Sequence, residues 1–137
     1  MMKRALSIFV FFLMSGSAAF AQNKNESLDF PVVMKFESVC CGVPDDKPFK
    51  KYLTQFKKKN KIKSIHASYI GPMGREGEYY IGFPLTEMKS GQKSAFMKGL
   101  RSVASKMRDK GQAVTERNFH INISTLSERT VIKEVEF

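Results

Sequence analysis

The chain has 137 residues, a formal net charge of +10, and 42% hydrophobic against 26% charged residues. That length fits one domain with a sizeable apolar core. We find no internal repeat and no low-complexity tract. The two cysteines are adjacent, which excludes a fold stapled by disulfides within the chain. The excess of lysine and arginine bears on solubility and on attraction to anionic partners, not on fold.

Residues 1–21 carry the three parts of a secretory signal peptide. Two basic residues give a positive start, an apolar core runs over residues 5–14, and an Ala-x-Ala site ends at Ala21. An uncleaved membrane anchor is disfavoured, because a bilayer span needs about 20 apolar residues and this core is shorter. We therefore expect export, to the periplasm or the medium, with cleavage near Ala21-Gln22.

A polar leader over residues 22–29 precedes a single domain over residues 30–137. No second run in this part is apolar enough to span a membrane. Period-two alternation of apolar side chains predicts a first strand over residues 30–39. Glycine, proline and aspartate then break the pattern. An apolar stripe at helical spacing predicts a first helix over residues 47–60, with an aspartate at its start.

Two further strands are predicted over residues 62–70 and 78–85. The segment between them, residues 71–77, is rich in glycine and also contains a proline, which is typical of a turn. The two strands are close enough in sequence to pair as a hairpin through that turn.

A second amphipathic helix is predicted to begin at Thr86 or Ser90 and to end at Gly111. Alternation then returns over residues 113–125, which gives a fourth strand, and over residues 131–137, which gives a fifth. A short polar turn joins these last two strands.

The predicted order is β-α-β-β-α-β with one extra C-terminal strand, which is the ferredoxin-like arrangement. Each strand has one apolar face and each helix one apolar stripe, so two layers satisfy both kinds of element. We therefore expect an α+β domain with both helices on one side of the sheet. In this arrangement strands two and four are the outer pair, and the second face of the sheet is open and polar to mixed.

Cys40 and Cys41 lie in the loop between the first strand and the first helix. A thiolate near a helix N-terminus has a lowered pKa, which favours redox reactivity or soft-metal binding, with Met73 as a further soft ligand. The alternative is that at least one cysteine packs in the core as a small apolar residue.

Two basic segments are candidate anion sites. Gly74, Arg75 and Gly77 suit a backbone nest for an anion, although the lysine and the hydroxyl residue of a phosphate loop are missing. The second segment is the lysine run at the end of the first helix: Lys57, Lys58 and Lys59. The alternatives are a hairpin turn that needs positive φ and a solvated helix end.

The open face of the predicted sheet is a candidate contact surface for a partner. Its candidate residues are Lys35, His66, Tyr80, His120 and Asn122. The two histidines fall on the two outer strands, three strand spacings or about 14 Å apart, so a joint metal site is disfavoured.

No pair of carboxylates and no nucleophile with a histidine and an orienting acid is evident from spacing. The first hypothesis is therefore an exported, non-catalytic interaction module that binds a protein or a small ligand, with no cofactor. The alternatives are a thiol or soft-metal protein and an inhibitor-like partner of an exported enzyme. A homodimer is left open. Nucleic acid is disfavoured, because the chain is exported and offers mainly one aromatic ring for base stacking.

Overall fold

The structure is a computed structural model that describes residues 26–107 and 111–137, so the predicted signal peptide and residues 22–25 of the leader lie outside the described residues. The strands are β1 Ser27–Ser38, β2 His66–Gly71, β3 Tyr79–Phe83, β4 Gly111–Asn122 and β5 Val131–Glu136. The helices are α1 Lys47–Asn60 and α2 Ser90–Lys106, and a short 3-10 helix spans Ile123–Thr125. Within these described ranges, none of the helices has the length and hydropathy needed to cross a membrane.

The five strands form one antiparallel sheet in the order β4-β1-β3-β2-β5. β2 and β3 pair as the predicted hairpin, with Ser68 opposite Gly82. β5 follows β4 along the chain but pairs with β2, where Ala67 lies opposite Val135. The prediction of an α+β chain with one sheet and two helices is confirmed.

Helix α1 has the bounds that its apolar stripe predicts. The buried side chains of this stripe are Phe49, Leu53 and Phe56. At its start, the Asp45 carboxylate accepts a hydrogen bond from the Lys47 backbone amide at 3.1 Å. Asp46 occupies the N-cap position, but its carboxylate pairs with the Lys50 ammonium group at 2.9 Å and not with the helix backbone.

Helix α2 begins at the later of its two predicted starts, Ser90, and ends earlier than predicted, at Lys106. Gly111 is the first residue of β4 and does not end the helix. The physical reason is strand pairing, because Gly111 lies opposite Ser38 and the chain must be extended there to continue the ladder with β1.

The main core lies between the two helices and one face of the sheet. β1 contributes Val32, Met34 and Phe36, all at most 1% exposed. Aromatic rings from the two layers meet edge to face, as between Phe83 of β3 and Phe96 of α2, whose centroids are 5.1 Å apart. This packing agrees with the predicted two layers.

The other face of the sheet is not open and polar, as the alternation predicts, but carries a second apolar cluster. We call it the back-face cluster, and its buried members are Phe30, Val33, Ile70, Phe119 and Ile121. The ring of Phe30 lies over β3 so closely that a Cβ at Gly82 would be 2.7 Å from it. Glycine at this position therefore permits the contact.

The prediction missed this cluster because the alternation of β1 and β4 changes face partway along both strands. Val32 packs in the main core, whereas Phe30, two residues earlier, packs in the back-face cluster. Opposite this point, Asn118 has a φ of 50°, a left-handed conformation that interrupts the regular pleat of β4. Phe119 therefore lies on the face opposite the helices.

The segment between β4 and β5, residues 123–130, crosses the sheet from one edge to the other. At its start, the Ile123 amide donates to the Glu26 carbonyl at 3.0 Å. Leu126 packs against the back-face cluster. At its end, the Thr130 hydroxyl donates to the Pro72 carbonyl at 2.8 Å. We call this segment the connector; its middle helps to cover the back face.

Candidate functional site

The strand register gathers three loops at one end of the sheet. Ser38 lies opposite Gly111, Gly71 lies opposite Val131, and β3 begins at the same end. The loops there are residues 39–46, residues 72–78 and the last part of the connector. We call this the loop end.

A cleft of about 680 Å³ lies at the loop end, between the β2–β3 loop and the connector. Its lining residues are Pro72, Met73, Gly74, Arg75, Gly77, Ser127 and Arg129. The lining includes two arginines and no aspartate or glutamate. Among the described residues, neither arginine is within 4 Å of a carboxylate oxygen. We call this the arginine cleft.

The β2–β3 loop shapes one wall of the cleft through its own hydrogen bonds. The Met73 amide donates to the Glu78 carbonyl at 2.6 Å, and the Glu78 carboxylate accepts from the Glu76 amide at 3.1 Å. Gly77 has a φ of 82°, and the Glu78 side chain fills the space that a Cβ of Gly74 would need. Both glycines are thus required by the turn, which agrees with the alternative interpretation of this segment.

The connector forms the other wall, as a tight turn tied to the first. The Thr130 amide donates to the Ser127 carbonyl at 2.9 Å, and the Arg129 amide donates to the Ser127 hydroxyl at 3.2 Å. The bond from the Thr130 hydroxyl to Pro72 joins the two walls. This brace holds the segments that carry Arg75 and Arg129 on either side of one space.

Sequence reasoning found Gly74, Arg75 and Gly77 but missed Arg129. The two arginines share a cleft only because β5 pairs with β2, which brings the end of the connector beside the β2–β3 loop. The one local signal was the turn at Ser127 to Arg129, and it gives no indication of which strand β5 joins.

Cys40 and Cys41 are both exposed, in the loop that follows β1. The prediction that at least one of them packs in the core is therefore wrong. The strand ends at Ser38, so neither cysteine is held on a face of the sheet. Met73 lies at the same end of the sheet but packs against the back-face cluster.

The pKa of the Cys41 thiol is raised above its usual value, opposite to the expected effect of a helix N-terminus. The largest cause is the hydrogen bond between the two thiols, followed by desolvation and by the negative charge of Glu76. A lowering by the helix N-terminus is not among these causes, and along the chain Asp45 and Asp46 separate the cysteines from the start of α1.

The lysine run lies at the other end of the sheet, where α1 ends shortly before β2 begins. We call this the lysine end. A cleft of about 500 Å³ here has a lining that includes Lys61, Lys63, Lys89 and the carboxylate of Glu87. The two predicted anion segments are therefore separated by the length of the sheet and do not form one site.

The predicted sheet-face residues have structural contacts. The Lys35 ammonium group pairs with Glu116 and lies 5.1 Å from the centroid of the Tyr80 ring, and Asn122 accepts a hydrogen bond from the Ser124 amide at 3.0 Å. Lys35 and Tyr80 lie on the back face. His120 and Asn122 alternate along β4 with Phe119 and Ile121 of the back-face cluster, so they lie on the helix side of the sheet, and their predicted place on the open face is wrong.

The histidines are separate as well. His120 lies on β4, and its ring pairs with Asp29 of β1 at 2.6 Å. His66 is the first residue of β2, and strands β1 and β3 lie between β4 and β2 in the sheet. Over residues 26–107 and 111–137, no group of three or more histidine, cysteine or acidic side chains is placed to hold a metal ion.

Comparison with protein-family models gave no match to this chain, and neither the curated proteins nor the solved structures gave one. Support for a function therefore comes from the arrangement of residues at the loop end.

Proposed function

We propose that the chain is an exported, non-catalytic binding module that takes an anionic group of its ligand into the arginine cleft. The observation that carries the proposal is the pair Arg75 and Arg129, which reach one cleft from two separate segments with no carboxylate in its lining. Guanidinium groups bind carboxylate and phosphate through paired, charge-assisted hydrogen bonds.

The rest of the lining suggests what accompanies the anionic group. Pro72 and Met73 present apolar surface beside the two arginines. A ligand with an apolar body and one phosphate or carboxylate suits this combination better than a bare ion, because both kinds of surface then find a partner. The terminus or an acidic segment of a protein has this chemistry, as does a small organic acid.

A non-catalytic role is supported by the positions of the groups that usually transfer protons. Both histidines of the chain lie toward the lysine end of the sheet. His66 is the first residue of β2, and His120 lies near the end of β4, beside the start of β1. The arginine cleft has no histidine, cysteine or carboxylate in its lining. An arginine side chain binds an anion through its five N–H donors and has no acceptor to take up a proton.

Export and a ferredoxin-like topology are parts of the same proposal. The pattern of residues 1–21 supports export. The order β4-β1-β3-β2, with β5 added beside β2, supports the ferredoxin-like arrangement. The intact mass of the protein recovered from outside the cytoplasm checks the first part, since cleavage at Ala21 fixes the N-terminus at Gln22.

The cleft is tested by an NMR titration of the mature chain with phenyl phosphate, with inorganic phosphate in parallel. We expect saturable shifts in residues 72–77 and 127–130, and tighter binding of phenyl phosphate than of phosphate. R75A and R129A should each weaken binding by about tenfold or more, while R101A, which changes an exposed arginine on α2, should leave it unchanged. Shifts confined to the lysine end, or an unchanged response in R75A, would refute the proposal.

A thiol or soft-metal protein is the second candidate function. The observation that favours it is the exposure of both Cys40 and Cys41, which leaves the two thiols accessible to a ligand or an oxidant.

A further inference from the structure

We propose that Cys40 and Cys41 form a two-thiol site that binds one soft, thiophilic centre, such as trivalent arsenic, across both sulfur atoms. This inference develops the second candidate function and does not depend on the arginine cleft. It rests on the exposure of the pair, on the position of the two adjacent cysteines in a loop outside any strand and on the set of ligands around them.

The pair is presented to solvent by the first part of the loop, before Val43 and Pro44 pack against the rest of the domain. Val39, directly before it, is 70% exposed, and both cysteines are exposed. A thiol in this position can bind a ligand without any opening of the core. The loop is nevertheless shaped, because the Gly42 amide donates to the Ser38 hydroxyl at 3.2 Å.

The local backbone allows the two sulfur atoms to lie on the same side of the loop. In a strand, adjacent side chains point to opposite faces, which would separate the thiols. Here the strand has ended at Ser38, and Gly42 takes a φ of 106°. Cys40 and Cys41 are neighbours in an exposed loop outside any strand, so both sulfur atoms can turn to one side of the loop, where one bound atom can bridge them. The interaction with Cys40, which is the largest cause of the raised pKa of Cys41, is consistent with this arrangement.

The surroundings favour two sulfur ligands over a larger set. Over the described residues, no third histidine, cysteine or carboxylate completes a metal-binding group with the pair. Tetrahedral zinc needs four ligands and hard cations need oxygen, so neither fits. Thiolates select soft centres. A disulfide between adjacent cysteines is strained, so the reduced pair remains available for such a ligand.

Binding of a trivalent arsenical needs no oxidant or reductant. With phenylarsine oxide, two arsenic–sulfur bonds form and the bond from arsenic to the oxide oxygen breaks. The two thiol protons leave with that oxygen as one water molecule. Arsenic and sulfur keep their oxidation states.

The test is native mass spectrometry of the reduced chain, residues 22–137, with phenylarsine oxide. We expect one adduct per chain whose mass gain equals the reagent less one water. The adduct should survive an excess of a monothiol and be removed by a dithiol. C40S and C41S should each weaken binding by roughly 100-fold or more, because the second arsenic–sulfur bond, which forms within the same molecule in the wild type, is then lost.

The two single variants are matched controls for each other, since each keeps one exposed thiol at the same loop. Alkylation by iodoacetamide, which forms a sulfur–carbon bond and releases iodide, checks that the remaining thiol is accessible. The site is refuted if the reduced wild type alkylates at both thiols but binds no arsenical, or if either single variant keeps the wild-type adduct. Neither result changes the phenyl phosphate titration, so failure here is distinguishable from failure of the arginine cleft.

Discussion

The loop end and the lysine end carry the same sign of charge in two different forms. The lysine end has more cations, but they are flexible side chains around the end of α1, and Glu87 lies among them. The loop end has two arginines in one cleft, on segments that a hydrogen bond ties together. The difference shows that the number of cations alone does not make a binding site. A planar guanidinium group on a braced loop loses less conformational entropy on binding than a flexible lysine side chain does.

The largest expected effect comes from removing both arginines. We expect R75A/R129A to weaken phenyl phosphate binding by about 100-fold or more, because each charge-assisted hydrogen bond contributes roughly 1.5–3 kcal/mol. The matched variant K58Q/K59Q removes two charges from the lysine end and should change affinity less than about threefold at physiological salt. Titration calorimetry on both variants measures the contrast. Equal losses in the two variants would mean that net charge, and not the cleft, binds the ligand.

The next effect concerns the packing beneath the connector. We expect G82A to destabilise the fold by about 1–3 kcal/mol, because the new methyl group would overlap the Phe30 ring and overpack the back-face cluster. Gly91 on α2 is the matched control, since a Cβ there meets open space. G91A should leave stability unchanged or raise it by up to about 1 kcal/mol. Urea unfolding of both variants checks the opposite signs, and a neutral G82A would contradict the close contact.

The back face is also the part of the fold that the sequence did not predict correctly. The helices and the strand sequence follow from local periodicity, and α1 has the predicted bounds because its stripe is continuous. The face of His120 and Asn122 was predicted incorrectly, because the left-handed residue Asn118 changes the alternation of β4 and no pattern of apolar residues signals a change in φ. Arg129 was missed for a related reason. Its place depends on the pairing of β5 with β2, a long-range contact that period-two alternation does not specify.

A smaller effect is expected at the brace between the two walls of the cleft. T130V keeps the shape of the side chain but removes the hydroxyl that donates to Pro72. We expect affinity for phenyl phosphate to fall about three- to tenfold, in line with roughly 0.5–1.5 kcal/mol for one hydrogen bond. T54V removes a comparable hydroxyl donor from the middle of α1, where Thr54 donates to the Lys50 carbonyl. It should leave affinity unchanged, and a matching loss in T54V would show that the brace has no special role.

The smallest effect separates the two chemistries of the loop end. Glu76 is one of the causes that raise the pKa of Cys41, so less of this thiol is thiolate near pH 8 than in a free cysteine. E76Q removes that negative charge and should lower the pKa, which increases the thiolate fraction and speeds alkylation of the C40S chain by up to about threefold. The hydrogen bond between the thiols is absent in C40S, so the comparison of C40S with C40S/E76Q isolates the electrostatic effect. Glu76 is outside the lining of the arginine cleft, and phenyl phosphate affinity should change much less. If C40S and C40S/E76Q are alkylated at the same rate at every pH from 7 to 9, Glu76 does not affect the pKa of Cys41. The cysteine pair and the arginine cleft would then be electrostatically independent although they lie at the same end of the sheet.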